Sequence, residues 1–250
     1  MRTKILYEDK ELLVIHKPAG LATQTGAVGQ SDVVSELKNY LRREGGLQSA
    51  KDSQPENGYP QPYLGVVHRL DQPVEGLLVF AKNKKSTSAL SKQLQEGGLH
   101  KRYYAMVWGK PPLGEGELVD YLYKDKENRA RIVTGQQSLY PEAKPARLRY
   151  RLLQYFPAVS ERPEGTSLLD VEIETGRFHQ IRAQMAHAGM PLLGDVKYGT
   201  EASIAFGRNR GIKYVALCAY QLILRHPADG REMHFETEPG NEAFAGIAVR

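Results

Sequence analysis

The chain has 250 residues, 41% hydrophobic and 25% charged, a globular composition that excludes disordered and fibrous classes and is long enough to bury a sizeable core. Its 34 basic and 29 acidic side chains give a net charge of +5, a mild tilt toward a polyanionic partner. The single cysteine, Cys218, excludes a disulfide framework within the chain and a thiolate metal cage, and it suits a reducing compartment.

The first residues, Met1 to Asp9, meet acidic side chains before any long apolar stretch, so no secretory signal is expected. No apolar run approaches the ~20 residues of a membrane span, and a cytoplasmic protein is expected. Residues 12–16 read as a short apolar strand ended by Lys17-Pro18-Ala19-Gly20. Ser31 is placed to cap a helix carrying Val33, Val34, Leu37 and Leu41 on one face. Residues 42–62, polar and rich in glycine and proline, read as a mobile loop.

Residues 64–71 form a strand running into a turn at Gln72-Pro73, and a second apolar strand covers 77–81. Ser86 or Thr87 starts a helix with Leu90 and Leu94 on one side, stopped by Gly97-Gly98. Strands follow over 103–107 and near 148–156. Leu169, Val171 and Ile173 alternate with Asp170, Glu172 and Glu174, the period of a half-buried strand. Thr175 is expected to cap a helix through about Ala188, stopped by Gly189 and Pro191, with further strands over 217–224 and 233–236. No fixed-period repeat is visible. The pattern predicts one α+β domain, 1–250, of one body or two lobes, with a central mixed, mostly antiparallel sheet, flanking helices and a cleft.

The most informative stretch is His68-Arg69-Leu70-Asp71-Gln72-Pro73-Val74-Glu75-Gly76-Leu77-Leu78. It sets an aspartate at the rim of a strand, where side chains reach ligands from a rigid backbone. From local sequence alone a second reading is open, and the commoner one: an Asx-type turn in which Asp71 binds amides ahead of Pro73.

This stretch closely resembles the catalytic motif of the RluA family of RNA pseudouridine synthases. The resemblance continues in order through Leu13-Val14-Ile15-His16-Lys17-Pro18-Ala19-Gly20, Lys101-Arg102-Tyr103-Tyr104-Ala105, Glu174-Thr175-Gly176-Arg177-Phe178-His179-Gln180-Ile181-Arg182 and Gly194-Asp195-Val196-Lys197-Tyr198-Gly199. The chain departs from the family pattern at Val74-Glu75, where threonine and serine are frequent, at Phe178, where threonine is common, and at Cys218, where histidine is common. The motifs begin almost at Met1, and the S4-like domain many relatives carry ahead of them is not expected.

The resemblance implies the pseudouridine synthase fold and an isomerisation: the C1′–N1 bond of a uridine breaks, the uracil turns, and C1′ joins C5. No electrons are exchanged overall, so no cofactor is expected, and no metal. Asp71 would act at the ribose, either attacking C1′ or removing a proton from C2′. Arg182 would be its counter-ion and Tyr103 would stack on the uracil. Arg69 would contact the RNA as the base is flipped out, and Leu217 would wall the pocket. Structured rRNA or tRNA is the expected partner, with no membrane and no obligate protein partner; a monomer is expected. Two other classes stay open: a catalytically silent RNA-binding protein on the same fold, and a glycosidic hydrolase. The latter usually needs two carboxylates, and no second one beside Asp71 is read in a matched motif. His68, His179 and His187 invite a metal reading, but His179 and His187, eight apart on the expected helix, have no third ligand at metal-ligand spacing.

Overall fold

The computed structural model describes residues 1–25, 29–44, 55–56, 59–60, 62–135, 137–160 and 164–247. The chain divides into two compact units, the first made of Met1–His100 and Tyr220–Glu238, the second of Lys101–Ala219 and Pro239–Arg250.

The elements run β1 (Lys4–Glu8), β2 (Leu12–Lys17), α1 (Val33–Glu44), β3 (Pro55–Glu56), β4 (Tyr59–Pro60), β5 (Gly65–Val66), β6 (Glu75–Ala81), α2 (Lys84–Gln95), β7 (His100–Trp108), β8 (Glu115–Lys124), β9 (Ala130–Ile132), β10 (Lys144–Phe156), β11 (Thr166–Ile173), α3 (Gln180–His187), α4 (Glu201–Asn209), β12 (Leu217–Arg225) and β13 (Glu232–Glu236). In the first unit β1, β2, β6 and β12 lie in that order, with β5 beside β6 and β13 beside β12. In the second the order is β7-β11-β10-β8-β9, and every pair in it is antiparallel. This is the expected α+β architecture of mostly antiparallel strands with flanking helices.

β6 is buried along its whole length, which is why Leu77-Leu78-Val79-Phe80-Ala81 reads as a continuous apolar run rather than an alternation. Leu77, Val79 and Ala81 pack with Leu12 and Val14 of β2, Leu90 of α2, and Leu222 and Leu224 of β12. In the second unit Ala183 of α3 packs on Leu122, Ala130 and Ala146.

Several boundaries differ from expectation, each for a local reason. The cap of α1 is Asp32, whose carboxylate accepts from Ser35 N at 2.7 Å, so Ser31 lies one residue outside. The cap of α2 is Asn83, which accepts from Ser86 N at 2.9 Å. Residues 64–71 pair only at Gly65–Val66; the rest is a loop held by side chains. Thr175 does not cap α3. Its hydroxyl accepts from Arg147 N and donates to Gln180 Oε1, and the helix begins only at Gln180. β8 and α4 were not foreseen; Thr200 caps α4 by accepting from Ser203 N. Of the expected loop 42–62, Arg42 and Arg43 belong to α1, and β3 and β4 pair as a short hairpin. Glu44 ends α1, and the other residues before Pro62 lie outside the described set.

Candidate active site

In the first unit the Asp71 loop is clamped from below. Thr23 Oγ1 donates to Leu70 O at 2.9 Å and accepts from Leu70 N at 3.2 Å, a reciprocal bond that fixes the residue before Asp71. Gly20 N donates to Gln72 O at 2.8 Å, fixing the residue after it. The turn is closed by the main chain, with Val74 N donating to Asp71 O at 3.0 Å. Val67 and Leu70 are buried. The backbone is therefore rigid, Asp71 is half-buried, and Arg69 is exposed.

Beneath this loop lies a residue that sequence reasoning passed over. Lys17 is fully buried, and its Nζ donates to Pro18 O, Leu21 O and Gln72 O at 3.1, 2.7 and 3.2 Å. It ties the end of β2 to the Asp71 loop. Burial pushes its ammonium down to about 7; the carboxylates of Asp71 and Glu75 oppose that shift, and Arg2 adds to it. The legible signal was a lysine directly after a strand of apolar residues.

Glu75, four residues from Asp71, is likewise buried, 3.8 Å from His16 Nε2. The motif thus does hold a second carboxylate, contrary to the sequence reading that only Asp71 stands out. It lies at the start of a buried strand and acts on Lys17, so it adds to the electrostatics of the loop.

The Lys17 ammonium has a stability consequence with a definite sign. Its folded pKa of about 7 lies below the free value of 10.5. Between those values the unfolded chain holds a proton that the folded chain has released, so stability rises with pH across the window, by up to about 1.4 kcal/mol per unit. The gain is complete above 10.5 and is lost as pH falls through about 7. Lys17→Met removes this rise and takes the ammonium from the carbonyls of Pro18 and Leu21, while Gln72 O keeps its bond from Gly20 N. Urea unfolding should therefore show a wild-type advantage of roughly 1–3 kcal/mol near pH 7 that grows toward pH 10. A pH-independent difference would contradict this account.

In the second unit, Tyr103 stands opposite Val171, and Val171 opposite Tyr150. Tyr150, Leu148 and Ala146 alternate onto one face, and on that face Ala146 packs against Ala183 of α3. Tyr103, 5% exposed, therefore shares the face covered by the helix that carries Arg182. The neighbouring Arg102 points to the other face and pairs with buried Asp170.

Arg182 is 5% exposed and bound by Asp195 in a two-pronged pair, Nε to Oδ2 at 2.7 Å and Nη2 to Oδ1 at 2.9 Å. Asp195 also accepts from Lys197 N and Tyr198 N, so one fully buried carboxylate organises both the guanidinium and the following turn. The Arg182 guanidinium lies 5.1 Å from the centre of the Tyr198 ring. Gly194, at φ +72°, holds this turn in place. A Cβ there would stand 2.2 Å from Tyr214 O. Asp195 lies in a segment the sequence reading quoted without giving it a role; an aspartate in a glycine-bounded turn was the available signal. Leu217 is buried at the start of β12.

The structure thus joins Arg69 and Asp71 on one clamped loop, and Tyr103 and Arg182 on one face of the second unit. His187 Nδ1 lies 3.0 Å from Asp120, and His179 Nδ1 2.8 Å from the Tyr198 hydroxyl. Among the described residues no group of three or more histidine, cysteine or carboxylate side chains is arranged to hold a metal ion. No helix among them is long and apolar enough to cross a membrane.

Comparison with known proteins bears on the same segments. Residues 11–187 match the family described as RNA pseudouridylate synthase. The dual-specificity RNA pseudouridine synthase RluA of Vibrio parahaemolyticus is 33% identical over 227 residues, covering 90% of this chain and 78% of that one. The ribosomal large subunit pseudouridine synthase D of Nitrosomonas europaea is 34% identical over 252 residues, covering 99% of this chain and 65% of that one. The chain thus spans about two thirds of the length of several of its relatives. Among solved structures, human RNA pseudouridylate synthase domain containing 4 superposes with a TM-score of 0.70 at 22% identity, over 96% of this chain and 91% of that one, which bears on the fold alone. The match takes in the clamped loop of Asp71, the strand of Tyr103 and the helix of Arg182, and on that extent the chain belongs to the family of RNA pseudouridine synthases.

Proposed function

We propose that this chain isomerises one or a few uridines of structured ribosomal or transfer RNA to pseudouridine, with Asp71 as the carboxylate acting at the ribose. The observation that carries this reading is the Asp71 loop, a half-buried carboxylate on a backbone clamped by Thr23, Gly20 and Lys17. A reacting carboxylate needs that fixed position, because small misplacements of a reacting group are costly in rate.

The target nucleotide is flipped out of its stack, since C1′ and C5 of a stacked uridine are not jointly reachable. Arg69, exposed beside Asp71, meets the RNA during flipping. Asp71 either attacks C1′ or takes the C2′ proton; in both cases the electron pair of the C1′–N1 bond leaves with the uracil. The base turns and C5 joins C1′, as the Asp71–C1′ ester bond breaks on the first route or as the proton returns to C2′ on the second; the C5 proton is then lost and N1 takes one up. Tyr103 stacks on the base, Arg182 serves as the counter-ion of Asp71, and Leu217 is an apolar wall. The reaction is redox-neutral and draws on no cofactor. The protein works as a single chain in the cytoplasm.

The test is a map of pseudouridines in cells lacking the protein, restored with wild type or Asp71→Ala. Sites that vanish and return only with wild type establish the reaction and identify the RNA. An unchanged map, or restoration by Asp71→Ala, would leave an RNA-binding role as the better reading.

A further inference from the structure

Phe178 is a large aromatic ring left 39% exposed. It is not a loose surface residue. Its ring stacks on His179 with centroids 3.8 Å apart and 20° between planes. His179 adopts a left-handed backbone, φ 51°, which non-glycine residues rarely take, at the residue preceding α3. Its ring is held by the Tyr198 hydroxyl, which in turn accepts from Ala130 N at 2.7 Å. Tyr198 also touches the Arg182 guanidinium. A chain of direct contacts therefore runs from Arg182 through Tyr198 and His179 to the exposed ring.

A cation lies over this ring. The Lys124 ammonium, at the end of β8, lies 4.8 Å from the Phe178 centroid. Arg129 and Lys197 cross the same β8–β9 hairpin, with Arg129 Nη1 bound to Lys197 O and Lys197 Nζ to Asn128 O. A part-exposed aromatic ring with the end of a flexible lysine over it offers what single-stranded nucleic acid requires: a surface for a base once that side chain swings aside, and charge for its phosphate.

We propose that Phe178, backed by His179, is a stacking platform for an unpaired nucleobase flanking the target uridine, with Lys124 meeting the adjoining phosphate. This rests on the reading of the chain as an RNA-modifying enzyme and extends it to a subsite. A leucine at 178 would shield the His179–Tyr198 bond as an apolar cover, but it offers no aromatic face; that difference separates the platform from mere packing.

The experiment measures pseudouridine formation against concentration of total RNA extracted from cells lacking the protein, for wild type, Phe178→Leu, Phe178→Tyr and Lys124→Gln. Thermal unfolding without RNA is followed in parallel. Phe178→Leu is expected to raise KM about ten-fold with wild-type unfolding temperature, as the loss of one base stack predicts. Phe178→Tyr should restore the wild-type KM. Lys124→Gln should weaken the salt dependence of KM by roughly one phosphate contact. A wild-type KM in Phe178→Leu, or failure of tyrosine to rescue, overturns the platform while leaving the enzyme reading intact. If wild type itself forms no pseudouridine in this RNA, the enzyme reading and the platform fall together.

Discussion

Asp71→Ala and Asp71→Asn should both lower the rate of pseudouridine formation by at least about a thousand-fold, within the range for a lost acid–base or nucleophilic group. Neither change should unfold the protein. The loop is held by its backbone and by Thr23, Gly20 and Lys17, so its shape does not depend on the identity of residue 71. Asparagine keeps the size of the side chain but neither accepts a proton readily nor attacks carbon as an oxygen nucleophile. The measurement is single-turnover kinetics on the RNA identified by mapping, with unfolding curves alongside. Loss of rate with retained stability and RNA binding supports the assignment. A rate within ten-fold of wild type for Asp71→Asn would mean that the carboxylate is not the reacting group. The same variants probe Lys17 from the other side. Asp71 favours the charged form of that ammonium, so Asp71→Asn should lower the Lys17 pKa further, below about 7.

The second large effect is expected at Asp195. Its carboxylate binds the Arg182 guanidinium in a two-pronged pair and accepts two backbone amides, with both side chains almost fully buried. Removing one member of such a pair strands the other charge in a low-dielectric site, at a cost of about 3–5 kcal/mol. Asp195→Ala should accordingly lower the unfolding temperature by roughly 10 °C, given the size of the chain. It should also displace Tyr198, whose amide loses its acceptor, and with it the His179 ring. Arg182→Lys keeps the charge without the planar fork and should cost less stability than Asp195→Ala, while still losing activity if the guanidinium geometry positions the reacting groups. Calorimetry and turnover on the same samples separate the two. Equal stability for Asp195→Ala and wild type would show that the pair contributes only local order.

Much of this was readable from the chain itself. The apolar run of β6, the alternation of β11 and the glycine stops after α2 and α3 are local patterns, set by the period at which side chains must meet a core. The motif around Asp71 was legible because its residue types occur in a fixed order. Helix starts were less so: Asp32 and Asn83 won over nearby serines because a cap is chosen by which side chain reaches the amide three residues on. Residues 67–71 read as strand because Val67 and Leu70 are apolar, yet these two are buried as anchors of a loop.

Only tertiary structure decided the roles of Lys17, Glu75 and Asp195. A lysine is ordinarily a surface residue, and nothing in Lys17-Pro18-Ala19-Gly20 says that three carbonyls, from Pro18, Leu21 and Gln72, converge on its ammonium. Asp195 lies thirteen residues beyond Arg182, outside the reach of a helix-face pairing, and the two meet because the turn at Gly194 brings the chain back. Sequence specifies which groups are available and with what period. Burial, which converts a lysine into a poised ammonium and an aspartate into the anchor of an arginine, depends on segments distant in the chain and is settled only when they pack.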